Sequence, residues 1–181
     1  MTNKLIVVDV EADGPCPGLY SMVCFGACIV ENTDKFRTFY GETAPISNNH
    51  IPEALAVSGF TRDDHLTFPM PVKTIHSFME WLRKECEPHK PTLISDNPAF
   101  DWQFINYYLH AYTGTNPFGF SARRIGDIYC GLTGNLGANT EWKKLRKTKH
   151  DHNPVNDSIG NAESLLAIFE MYKPKLGGIV L

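Results

Sequence analysis

The sequence predicts an α/β fold in which a mixed sheet is covered by helices. Three observations carry this. Strand-like runs crowd the first forty residues, the hydrophobic period turns helical from Pro71 onward, and one further strand-like run then sits between helical segments. At 181 residues, 43% apolar and 20% charged, the chain fits a single domain spanning 1–181, able to bury a core without disulfides or structural metal. It shows no solenoid repeat and no low-complexity tract.

Leu5 to Val10 is apolar and β-branched, as suits a central strand buried on both faces. A turn rich in Gly and Pro, Gly14 to Gly18, separates it from a second strand, Ser21 to Val30. Lys35 to Tyr40 alternates around Phe36 and Phe39 and reads as a third, antiparallel strand. From Pro71, Val72, Ile75, Phe78, Met79 and Leu82 share one face of a helix that ends before Pro88. Thr92 to Ser95 is a short buried strand. Asn97-Pro98 starts a second helix, with Asn as cap, Pro in the first turn, and Phe100, Phe104, Tyr107 and Ala111 facing inward. Asn153-Pro154 starts a third with the stripe Val155, Ile159, Ala162, Leu166 and Phe169, and Pro174 lies just past its end.

Seventeen basic and twenty acidic side chains give a net charge of −3, so the chain lacks the positive field that wraps duplex DNA. A nucleic-acid partner then requires local positive charge or metal. Cys16, Cys24, Cys28, Cys86 and Cys130 are odd in number and form no C-x-x-C pair, which argues for buried thiols in a reducing compartment. The apolar run Leu5 to Val8 is too short for a signal peptide, and nothing approaches the roughly 18 apolar residues of a membrane span. The expectation is a cytoplasmic protein without a membrane partner.

Asp9 and Glu11 stand two apart in an apolar strand, so both side chains leave the same face of the sheet. Neighbouring carboxylates repel and are costly to bury, and a divalent cation accounts for such a pair. A strand ending at Val8, with both acids in solvent, is the alternative. Asn97-Pro98-Ala99-Phe100-Asp101 and Asn153-Pro154-Val155-Asn156-Asp157 share the pattern Asn-Pro-x-x-Asp, which places Asp101 and Asp157 in the first turns of their helices, where the dipole welcomes an acid. Taken singly, each segment reads first as a good helix start with Asp where Asp is welcome. His152, on the loop before the third helix, can face a metal-bound water while Asp157 holds the metal, with His150 and Asp151 as competing candidates. Asp157 projects opposite the apolar stripe, which puts such a site at the helix end.

Taken in order, Asp9-Val10-Glu11, Asn97-Pro98-Ala99-Phe100-Asp101, and His152 with four residues before Asp157 resemble the three exonuclease motifs of the DEDDh 3′–5′ exonucleases. That superfamily includes oligoribonuclease, ribonuclease T and polymerase proofreading domains. The resemblance spans almost the whole chain: Ile51 to Gly59 resembles the linker before the family's middle helix, and Ile125-Gly126-Asp127-Ile128 its Ile-Asp-Thr strand. Ala12-Asp13-Gly14 departs from the Thr-Thr-Gly of many relatives, Asp96-Asn97 from their His-Asn, and Pro154-Val155-Asn156 and Ser158 from their smaller residues. These departures touch substrate preference more than catalysis.

The resemblance implies a ribonuclease H-like fold, a five-stranded mixed sheet flanked by helices, with the acids converging where the first strand meets the helix ends. It also implies two Mg²⁺ or Mn²⁺ ions, with Asp9 bridging, Glu11 and Asp157 on the water-activating ion, Asp101 on the other, and His152 taking the proton. The implied activity is a 3′–5′ exonuclease that releases 5′-mononucleotides from single-stranded 3′ ends. RNA is favoured over DNA because compact stand-alone members often process such ends, and a homodimer is implied by those same relatives. Lys143, Lys144, Arg146, Lys147 and Lys149 form a basic run beside His152 that reads as a phosphate-tracking patch or as a solvated surface. Tyr20 and Trp102 are candidates for stacking on terminal bases, against a role in the core. Two alternatives stay open: a catalytically silent module binding nucleic acid or protein, and a hydrolase of small phosphoesters.

Overall fold

The computed structural model describes residues 3–173; Pro174 lies outside them. Five strands form one sheet in the order β3-β2-β1-β4-β5. They are β1 (Asn3–Ala12), β2 (Met22–Ile29), β3 (Thr38–Glu42), β4 (Lys90–Ser95) and β5 (Arg123–Arg124). β1, β2 and β3 form the antiparallel meander, and β4 and β5 add in parallel on the other side of β1. Helices α1 (Pro52–Val57), α2 (Arg62–Thr67), α3 (Pro71–Cys86), α4 (Pro98–Thr113), α5 (Ile125–Thr133) and α6 (Pro154–Met171) follow in chain order, with two short 3₁₀ turns, Leu136–Ala138 and Glu141–Leu145, between α5 and α6.

Alternation along β1 sends Ile6, Val8 and Val10 into one core with Phe78, Phe104 and Tyr108 from α3 and α4, and Val7 into a second core with Ile94, Trp142, Leu165 and Ile168. Asp9 and Glu11 have the parity of Val7, so they emerge on the α6 side. β2 is buried at every position, as a strand covered on both faces must be.

Several local expectations shift. The third strand begins at Thr38, three residues after Lys35, and runs through Gly41 and Glu42 because those residues pair with Phe25 and Cys24. On α3 the inward face is Thr74, Ile75, Phe78 and Leu82, and Val72 is exposed. On α4 the face is rotated: Asp101, Phe104, Ile105, Tyr108 and Leu109 are buried, whereas Tyr107 and Ala111 are exposed. This helix is apolar around most of its circumference, so periodicity alone does not select a face. Asn97 makes no side-chain cap, whereas the Asn153 side chain accepts from the Val155 and Asn156 N–H groups.

The largest change is on α6. Asp157, Asn161, Ser164, Leu165 and Ile168 form its buried side, while Ile159, Leu166 and Phe169 are only partly covered. Asp157 therefore does not point away from the packed face. Small residues on that side let the helix lie close to the strands. At Gly26 of β2 a Cβ would sit 2.2 Å from the Pro154 carbonyl oxygen. Lastly, the segment matched to the Ile-Asp-Thr strand is the start of α5: β5 ends at Arg124, and Asp127 lies exposed, paired with Arg124.

Candidate active site

β1 outruns its parallel partner. Pairing with β4 ends at Val7↔Ile94, so the β1 edge beyond it faces no strand. Asp101, in the first turn of α4, fills that gap, its Oδ1 accepting the Val10 N–H at 3.1 Å. Asp9 lies opposite Gly26 and Glu11 opposite Cys24, and the β1–β2 register shifts just after Glu11. Because Gly26 admits the N-terminus of α6, Asp157 arrives above these two acids. Ligand oxygens of Asp9, Glu11 and Asp157 lie within 4.8 Å of one another.

Electrostatics mark the cost of this arrangement. Burial, then the charges of Asp101, Asp157 and Glu11, push the Asp9 carboxyl well above its ordinary range. Burial and Asp157 raise Glu11 to about 7. Burial raises Asp101 to about 7 even though the main-chain N–H groups of Val10 and Asn97 stabilise its charged form. Carboxylates so placed suit a hard divalent cation, whose positive charge offsets their repulsion and whose preference is for oxygen ligands.

His152 adopts a left-handed backbone (φ 59°) that a non-glycine residue takes at some cost. Its N–H donates to Asp157 Oδ2 at 3.1 Å, and its Nδ1 lies 3.7 Å from Glu11 Oε1. The ring is half exposed and packs edge-on against His150, centroids 4.3 Å apart. His150 approaches from the other side, its Nδ1 2.8 Å from Asp157 Oδ1. Asp151 instead caps the loop, accepting from Asn153 N and Asn156 Nδ2.

The basic run borders the cluster. Lys143, Arg146, Lys147 and Lys149 share with Asp9 and Asp157 a pocket of about 480 Å³. Glu163 of α6 pins this stretch by accepting the Lys147 and Thr148 N–H groups at 2.9 and 2.7 Å. Trp102 lies elsewhere, in an open hollow with Pro17, Tyr107 and His110, its ring partly packed into the core. Tyr20 covers Gly14, where a Cβ would fall 2.2 Å from its ring.

Two features escape a reading by motif. Asn161, one turn beyond Asp157, lines the pocket with a buried side-chain oxygen that has no partner; its spacing of four from Asp157 is the one sequence signal. Asp13, in the departure after Glu11, is fully buried, accepts the Ser21 N–H at 2.5 Å, and pairs with Arg62 at 2.9 Å and His65 Nδ1 at 3.6 Å. The i,i+3 spacing of Arg62 and His65 on α2 is legible, but not their meeting with Asp13.

A ribonuclease H-like sheet whose first strand carries carboxylates into a cluster completed by two helix ends is the framework of a metal-dependent nuclease. No family model matches the sequence. The chain is 36% identical over 177 residues to the 3′–5′ DNA exonuclease Cap18 of Escherichia coli, with 94% of each chain covered. Among solved structures it resembles the nuclease domain of 3′hExo, a DEDDh family member bound to rAMP (TM-score 0.72, 14% identity, 94% of this chain and 93% of that one). It also resembles cell-death related nuclease 4, CRN-4 (TM-score 0.75, 16% identity, 94% and 64%), and the E. coli ExoI–ssDNA complex (TM-score 0.69, 16% identity, 98% and 42%). These structural likenesses show the fold. With the identity to Cap18, the chain belongs to the DEDDh 3′–5′ exonucleases. No helix among the described residues is long and apolar enough to cross a membrane.

Proposed function

We propose that the protein is a divalent-metal-dependent exonuclease that removes 5′-mononucleotides from single-stranded 3′ ends, with DNA as the favoured substrate. The observation that carries this reading is the gathering of Asp9, Glu11 and Asp157 within 4.8 Å, beside Asp101 and His152. The preference for DNA reverses the expectation drawn from compact RNA-processing relatives; it rests on the identity to Cap18, named a DNA exonuclease.

Asp9, Glu11, Asp101 and Asp157 would hold two Mg²⁺ or Mn²⁺ ions, which supply positive charge to the scissile phosphate and acidify water. Asp9, whose carboxyl feels the charges of Asp101, Asp157 and Glu11, would serve both ions. His152, reachable from solvent, takes the proton as water oxygen bonds to phosphorus and the P–O3′ bond breaks; the departing 3′ oxygen takes a proton from solvent and becomes the 3′-hydroxyl of the shortened strand. Lys147 and Lys149 of the basic stretch, which line the pocket, receive phosphates of the strand entering it. Trp102 and Tyr20 are proposed as stacking partners for bases near the end.

A time course on 5′-labelled single-stranded DNA and RNA of one sequence, with Mg²⁺, Mn²⁺ or EDTA, tests the proposal. A ladder that shortens from the 3′ end, faster on DNA, and vanishes with EDTA or Asp9→Ala is the expected result. Oligomers bound but left intact under both metals would overturn it and favour a silent binding module. Faster RNA shortening would overturn the sugar preference alone.

A further inference from the structure

Arg146 stands where the basic stretch meets the acidic cluster. Its Nη2 donates to both Asp157 Oδ1 and the Asp157 main-chain carbonyl, each at 2.9 Å, and its side chain is 11% exposed. The guanidinium lies across α6 at Gly160. A Cβ there would fall 2.5 Å from Arg146 Nε and 2.9 Å from the Thr148 carbonyl oxygen, so a larger residue would displace the arginine or the Thr148 backbone. Arg146 Nε is buried without a partner, which means the guanidinium keeps this place at the cost of an unused donor. Neighbouring Lys143 is engaged by Asp96 at 2.6 Å, at the rim of the same pocket.

We infer that Arg146 is a positioning residue for Asp157 and the built-in counter-charge of the acidic cluster. The inference rests on reading that cluster as a metal centre. One nitrogen of a planar group seated over Gly160 holds a carboxylate oxygen and the carbonyl of the same residue, fixing the Asp157 side chain against its own helix; the flexible lysine stem lacks the rigid plate that this seat holds in place. The same charge offsets the repulsion among Asp9, Glu11 and Asp157 when no cation is bound. Loss of Arg146 therefore weighs most on the metal-free protein, while a bound cation makes good the missing charge but not the orientation.

Melting of wild type, Arg146→Gln and Arg146→Lys in EDTA and in saturating Mn²⁺ tests this, together with steady-state kinetics on an oligonucleotide. In EDTA, Arg146→Gln is expected to melt roughly 5 °C below wild type, and Mn²⁺ to recover more than half of that, so that its metal-induced shift exceeds the wild-type shift by about 3 °C. Arg146→Lys should restore the EDTA melting point. Both variants should lose about tenfold or more in kcat at saturating Mn²⁺, with KM changed less than about threefold. Equal metal-induced shifts in wild type and Arg146→Gln, or full kcat in Arg146→Lys, would overturn the inference. If Arg146→Gln does not fold, Arg146→Lys decides alone through its kcat. A wild type whose melting ignores both Mn²⁺ and Mg²⁺ instead removes the metal reading, and this inference falls with it.

Discussion

Glu11 and Asp101 both rise to about 7, chiefly through burial, against ordinary values of 4.5 and 3.8. An acid whose folded pKa lies above its unfolded value holds its proton more tightly when folded. Its stabilising contribution is complete below about pH 4 and disappears as pH climbs through 7. Metal-free protein should thus melt at progressively lower temperature between about pH 5 and pH 8, and saturating Mg²⁺ should flatten or reverse that slope, because the cation binds the ionised carboxylates. Thermal scans across that range, with EDTA or Mg²⁺, check the sign; a rising melting point in EDTA contradicts it. The neighbouring imidazoles separate in a second experiment. His152→Ala should lower kcat by about 10²–10⁴, the usual contribution of a general base, and His150→Ala should change it only a few-fold. The opposite order would hand the base role to His150, whose ring also reaches Asp157.

Gly26 of β2 and Pro154 of α6 set the height of the helix above the sheet. Gly26→Ala should cost about 1–3 kcal/mol as an overpacking change and lift Asp157 away from Asp9, so urea denaturation and nuclease rate should both suffer. An alanine variant of full stability and full rate would show that this contact does not hold the helix in place. How much was legible follows from the same elements. β1, β2 and the helix starts at Pro71, Pro98 and Pro154 could be read because each carries a strong local signal: a β-branched run or a proline in the first turn. The inward faces of α4 and α6 could be read only in part: Phe104 and Ala162 are buried as expected, but most of each face is not where the apolar spacing puts it. α4 is apolar on most sides, and the buried side of α6 includes Asp157, Ser158, Asn161 and Ser164, residues that a search for hydrophobic spacing assigns to solvent. The acidic cluster was legible as a set of motifs in order, whereas Arg146 read only as one cation among five, since its tie to Asp157 depends on the fold of the 3₁₀ turn before α6.

Just past the first motif, a half-buried guanidinium and a buried carboxylate tie three segments together. Arg62 of α2 reaches Asp13 at the end of β1 and the Ser47 carbonyl, so the loop after β3, helix α2 and the first strand meet at one guanidinium. Arg62→Ala should destabilise by about 3–5 kcal/mol, because it leaves a fully buried carboxylate without its ion-pair partner. Chemical denaturation measures this, and a loss below about 1 kcal/mol would mean that His65 and the Ser21 N–H suffice. Asp9 and Asp157 meet across nearly the full described chain, with the sheet laid down in between. A ribosome making this protein releases Asp9, Glu11 and Asp101 long before α6 emerges. The carboxylate cluster therefore closes only after α6 has emerged, and a nascent chain still short of that helix carries the strands of a nuclease beside messenger RNA without its assembled acidic centre.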